Sequence, residues 1–216
     1  MAQEPDVETK ETTRLETFSD GVFAIAITLL VLDLITTLHP ESDEGLITTL
    51  LHHWRTFMAF TIGFITILIC WINHHIAFEF IKRIDTSFIW INGFLLFVVT
   101  ITPFSTAILA QYLEKEGSTA VAFFAFNYIL ISVAATSICS YAYHHRLIPD
   151  ADRDTFYSYL LIYRFGLFYN IAAFLLSFVS IVIPLILYVL LFISFASPKK
   201  LAARVSRWRS AKTGTT

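Results

Sequence analysis

Short groups of residues in this chain carry side chains able to do chemistry. The stretch "TRLETFSDGVFAIAITLLVLDL", Thr13 to Leu34, sets Arg14, Phe18, Ser19 and Asp20 at the mouth of an apolar run, with Thr28 a stranded hydroxyl farther in. The stretch "WINHH" places Trp71, His74 and His75 at i, i+3 and i+4, one face of a helix. Histidine pairs stand at His52–His53, His74–His75 and His144–His145, and carboxylates gather at Asp33, Glu41, Asp43 and Glu44. Indole and imidazole N–H groups donate to carboxylates and hydroxyls, and histidine also titrates near neutral pH and ligates metals. The chemistry on offer is hydrogen-bond pinning of helices, proton or metal handling, and attraction of cations.

The elements that must position these groups are membrane helices. Hydrophobic residues make up 56% of the chain and charged ones 15%, with 21 Phe. An ordinary soluble domain carries about 25% charged residues, so this chain has too little polar surface to cover itself in water. A bilayer core needs roughly 20 apolar residues per helix. On that measure the sequence predicts an all-α, polytopic membrane protein with six spans, at about 18–38, 54–78, 87–112, 118–143, 156–178 and 180–197. The last two run together around Ser177 and Ser180. Pro103 is expected to kink the third span, while Pro184 is tolerated near the start of the sixth. No internal repeat is visible, so residues 1–216 are expected to form a single six-span membrane domain. The first residues are polar and acidic, unlike a cleavable signal peptide, and the first span is expected to be retained.

Basic residues set the orientation. Of the 15 Lys and Arg, all but Arg55 and Lys115 fall on one side of the six-span arrangement. The positive-inside rule then puts both termini in the cytoplasm of a cell-membrane protein, with residues 1–17 a polar N-terminus and 198–216 a basic tail. That tail reads as a juxtamembrane anchor on anionic membrane lipid. The loop "HPESDEG" faces outward. Cys70 and Cys139 lie in apolar runs and read as small buried hydrophobes. The formal net charge of −2 gives no reason to expect nucleic acid.

On a helix of 100° per residue, Ile25, Thr28, Leu29 and Leu32 form one stripe about 10 Å long, and Asp20 lies about 140° from Ile25, on the opposite side. The stripe alone fits helix packing, lipid contact or a pore lining, and Thr28 is free to bond its own backbone. Asp20 is more telling, because an ionisable group inside a span costs at least about 2.5–3.5 kcal/mol unless paired or hydrated. Trp71, His74 and His75 reach matching depth from the second span, which runs the other way. A histidine or the indole is expected to bond Asp20 or Ser19 and hold the first helix against the second.

The pattern Arg14-x-x-x-Phe18-Ser19-Asp20 followed by "AIAITLLVL", with "WINHH" in the second span and "TPFST" in the third, resembles the signature of the transmembrane protein 175 family of cation channels. The resemblance covers the six-span length. It implies a potassium-permeable channel of the prokaryotic, single-repeat kind, built as a homotetramer with the first helices lining a central pore. It implies an aliphatic constriction at Ile25, Leu29 and Leu32, with Thr28 tied to selectivity. It also implies a structural network of Arg14, Phe18, Ser19, Asp20, Trp71, His74 and His75. Potassium and other monovalent cations would permeate, and no cofactor, metal or enzymatic reaction is implied. The acidic residues Asp33, Glu41, Asp43 and Glu44 would sit at the outer mouth beside the C-terminal ends of the first helices, which carry partial negative charge.

Two other classes fit the residues less well. A histidine-rich metal enzyme would gather its ligands on one side of the bilayer, whereas the His pairs here divide between both sides. A proton-coupled transporter would need carboxylates or histidines at mid-membrane depth, but Asp20, Asp33, Glu79 and Asp85 all lie near span ends.

Overall fold

In a computed structural model, which describes residues 7–37 and 45–213, the chain is a bundle of helices. In chain order these are α1 (Val7–Thr37), α2 (Leu46–His52), α3 (Trp54–Phe80), α4 (Thr86–Tyr112), α5 (Gly117–His144), α6 (Arg153–Leu176), α7 (Val182–Phe195) and α8 (Pro198–Thr213). Five of them, α1 and α3 to α6, are long and apolar enough to cross a bilayer. The protein is therefore all-α and polytopic, and each predicted span corresponds to an apolar helix.

Local sequence explains the boundaries. Asp85 caps α4 by accepting a 2.8 Å bond from the Phe88 N–H. Pro184 falls in the first turn of α7 and Pro198 opens α8, where no intrahelical N–H is lost. Arg146 takes φ 55° just after α5, turning the chain so that the Leu147 N–H reaches the Ala142 carbonyl. That turn also presents the Leu147 carbonyl to the Lys82 N–H, tying the α5–α6 connection to the α3–α4 connection.

Three features differ from the sequence reading. The first span is expected from residue 18, yet α1 begins at Val7, so the described part of the polar N-terminus continues the helix. The short α2 is unexpected; its Leu46, Ile47 and Leu51 are exposed, and it runs into α3 at His53. The sixth span is short: α7 has 14 residues, a rise of about 21 Å against a hydrocarbon core of about 30 Å. The chain then bends by 83° into α8, so the basic tail is a helix and not a free strand of charge. Helix α4 continues as one element through Pro103.

α1 packs chiefly against α3 and α4, while α5 packs against α4 and α6, and α7 and α8 against α6. The first helix thus lies at one edge of the bundle. Side chains of α1 and α4 converge on α3 at Gly63, where an added Cβ would stand 2.8 Å from Thr106 Cγ2 and 3.0 Å from Leu30 Cδ2. Only a residue without a side chain lets α1, α3 and α4 meet there.

Candidate functional site, the first helix and its anchor

The apolar run of α1 has two unlike faces. Phe23, Ala26 and Leu30 are 1%, 0% and 3% exposed against α3 and α4. Ile25, Leu29 and Leu32 are 60%, 42% and 55% exposed, and Thr28 lies exposed among them. The four residues of the predicted stripe therefore all face away from the chain's own core. Thr28 Oγ1 donates a 2.8 Å hydrogen bond to the Ile25 carbonyl. That bond consumes the hydroxyl proton and leaves the oxygen lone pairs unused, the polarity a cation requires.

At the N-terminal end of the same helix, polar groups face inward. Ser19 is fully buried, and its hydroxyl accepts from Asn92 Nδ2 at 3.0 Å while donating to the Leu15 carbonyl at 2.8 Å. Asn92 turns its carbonyl oxygen to His74 Nε2, 2.9 Å away. Because Asn92 spends its amide N–H on Ser19, Nε2 is the protonated nitrogen of His74. The bonds form a directed chain from α3 through α4 to α1. The His74 ring is fixed by Phe78, with centroids 4.4 Å apart, and by Phe23, at 5.4 Å.

Asp20 has its own donor. Trp71 Nε1 reaches Asp20 Oδ1 at 2.8 Å, and the indole stacks on His75. His75 Nδ1 lies 3.2 Å from Glu16 Oε1. Glu16, Ser19, Asp20 and Phe23 follow i, i+3, i+4, i+7, so one face of α1 presents the whole attachment.

These contacts refine the expected pairing. Trp71, and not a histidine, holds Asp20. His74 reaches Ser19 only through Asn92, and His75 turns to Glu16. Arg14 and Phe18 are exposed, and among the described residues no ion pair joins Arg14 to these side chains. Asn92 is the residue that sequence reasoning missed. Its signal was an amide inside the apolar run of the third span, within "WIN", the tripeptide that also opens "WINHH". Of the acidic residues expected at the outer mouth, Glu41, Asp43 and Glu44 lie outside the described residues, and Asp33 is described only as part of the α1 backbone.

The family model described as "Endosomal/lysosomal potassium channel TMEM175" matches residues 14–103, the segment that holds the attachment and the stripe. A potassium channel of Chamaesiphon minutus is 40% identical over 178 residues, covering 81% of this chain and 88% of that protein. A potassium channel of Streptomyces collinus is 39% identical over 126 residues, covering 57% of this chain and 60% of that one. The crystal structure of a lysosomal potassium-selective channel TMEM175 homolog from Chamaesiphon minutus superposes with a TM-score of 0.76 at 36% identity, covering 88% of this chain and 98% of that one.

Proposed function

Since this chain belongs to the TMEM175 family of prokaryotic potassium channels, we propose that it conducts potassium and other monovalent cations across the cell membrane. The pore is formed by four copies, each contributing the outward stripe of α1. The observation that carries this reading is the two-sidedness of α1: one face bonded and packed into its own subunit, the other a row of bare aliphatic side chains around one hydroxyl. A single such helix cannot enclose a path, so the stripe needs symmetry mates.

Ile25, Leu29 and Leu32 then act as a barrier. Aliphatic rings coordinate nothing; they narrow the path and disfavour water. Potassium holds its hydration shell less tightly than sodium, so a dry constriction penalises it less. Thr28 oxygens at one level replace part of the lost shell. With both termini cytoplasmic, the C-terminal end of each α1 points outward and, with Asp33 and the Glu41, Asp43, Glu44 loop, favours cations at that mouth.

The test is ion flux in lipid vesicles. Ile25→Asn should wet the constriction, raising conductance and flattening the potassium-to-sodium ratio. Thr28→Val keeps the shape and removes the hydroxyl, so selectivity should fall without that gain in current. Ile25→Cys, in a background of Cys70→Ala and Cys139→Ala, should crosslink between subunits. A stable, conducting monomer, or wild-type flux from polar variants at 25, 29 and 32, would remove α1 from the pore.

A further inference from the structure

Helix α8 leaves α7 at 83°. α7 exposes Ile183, Ile186, Val189 and Ile193, as a lipid-facing helix does. A helix at nearly a right angle to it therefore runs along the membrane surface. α8 is fastened there from two sides. Ala202 is buried, Leu201 and Val205 pack against the core beside α6, and Lys199 Nζ lies 2.9 Å from each oxygen of Glu79, one turn beyond His75 on α3.

The remaining flank is cationic. Lys200, Arg204 and Arg207 are exposed and, projected at 100° per residue, fall within about 60° of one another. Trp208 is 63% exposed and lies about 40° past Arg204, on the same flank. A basic stripe edged by tryptophan, on a helix lying along the surface of the bilayer that its own chain spans, matches one ligand class. The phosphate of an anionic head group pairs with the bases, and the indole sits at the head-group level. We propose that this flank of α8 is a binding site for anionic phospholipid. Because α8 is tied through Glu79 to the helix that carries Trp71, His74 and His75, lipid binding there bears on the same helix that anchors α1.

Binding is read without ion flux, so the result stands apart from the conduction reading. Full-length protein, delipidated in detergent, is titrated with phosphatidylglycerol or phosphatidylcholine and followed by native mass spectrometry. Phosphatidylglycerol should bind more tightly, and Lys200→Gln/Arg204→Gln/Arg207→Gln should weaken it by about 10- to 100-fold. The charge-preserving Lys200→Arg/Arg204→Lys/Arg207→Lys should retain it, which separates charge from folding. In vesicles, quenching by brominated phosphatidylglycerol, taken as the difference between wild type and Trp208→Phe, should vanish in the neutralised variant. Equal binding of the two lipids, wild-type binding by the neutralised variant, or displacement of lipid by an excess of inorganic phosphate would overturn the proposal. An acidic protein bound by α8 in place of lipid would surface as the first of these results.

Discussion

Asn92→Leu tests whether the bond chain from α3 to α1 holds the first helix. The substitution keeps the branch at Cγ and removes both hydrogen-bonding functions. Its effects on the two neighbours are unequal. Ser19 keeps its 2.8 Å bond to the Leu15 carbonyl and loses only an incoming donor. His74 loses the acceptor of its Nε2–H, and its ring, stacked on Phe78 and beside Phe23, cannot turn to find another. One stranded buried donor costs about 1–3 kcal/mol, while hydrogen bonds between membrane helices average about 0.6 kcal/mol and reach about 1.7. The expected loss is therefore about 1–2 kcal/mol, with one bond and not two carrying it. Replacing His74 by Phe as well removes the stranded donor, so Asn92→Leu/His74→Phe should be more stable than the sum of the single changes by about 1 kcal/mol. Reversible unfolding in mixed detergent micelles, followed by loss of helicity, measures all four corners of the cycle. Additivity within about 0.3 kcal/mol would refute the directed chain, and so would an Asn92→Leu variant as stable as wild type.

Further outcomes follow from the same geometry. Trp71→Phe should cost about 1.5–3 kcal/mol, the range for a bond to a charged group, and Asp20→Asn added to it should cost less than its effect in wild type, measured by the same unfolding. Gly63→Ala should destabilise by about 1–3 kcal/mol through overpacking, and Thr106→Ser, which deletes the methyl 2.8 Å from the new Cβ, should relieve part of that loss. Asp85→Ala should cost about 1 kcal/mol as a lost helix cap. The Phe88 N–H, with help from the Tyr141 hydroxyl, holds the Asp85 carboxyl below its ordinary 3.8 in the folded protein. The cap's contribution is thus whole above pH 3.8 and is lost as pH falls through the lowered value. Melting curves of wild type and Asp85→Ala should converge only at the acid end.

The span pattern was legible because apolar length is written directly in composition. So was the stripe, since Ile25, Thr28, Leu29 and Leu32 share a face by periodicity alone and Asp20 falls behind it. The pairing of Asp20 was legible only to its set of candidates. Trp71, His74 and His75 share a face, but depth and rotation of α3 against α1 decide which meets the carboxylate, and sequence spacing carries neither. Asn92 escaped notice because an uncharged amide does not stand out against an apolar run as a carboxylate does. The end of α7 is hidden in the sequence for a similar reason: Phe195, Ala196 and Ser197 remain apolar or small where the backbone already bends toward Pro198. The helical state of residues 7–17 was hidden by their charge, which suits a helix surface in water as well as a loop.

The first helix is held more firmly near its N-terminal end than along its stripe. The bonds of its anchor fall between Glu16 and Asp20, and Thr12 Oγ1 adds a 3.5 Å bond to the Lys82 carbonyl nearer the N-terminus, while the aliphatic stripe ends at Leu32, about 18 Å beyond Asp20 along the axis. Beyond Asp20, the dispersion contacts of Phe23, Ala26 and Leu30 pack α1 on its neighbours, and such contacts tolerate sliding as hydrogen bonds do not. The helix is a lever clamped at one end. A tilt of about 5° about the clamp keeps the anchor's bonds at its pivot yet carries Leu32 sideways by about 1.6 Å, roughly the radius of a water molecule. In the four-copy pore proposed above, such levers moving together would change the aperture by twice that distance.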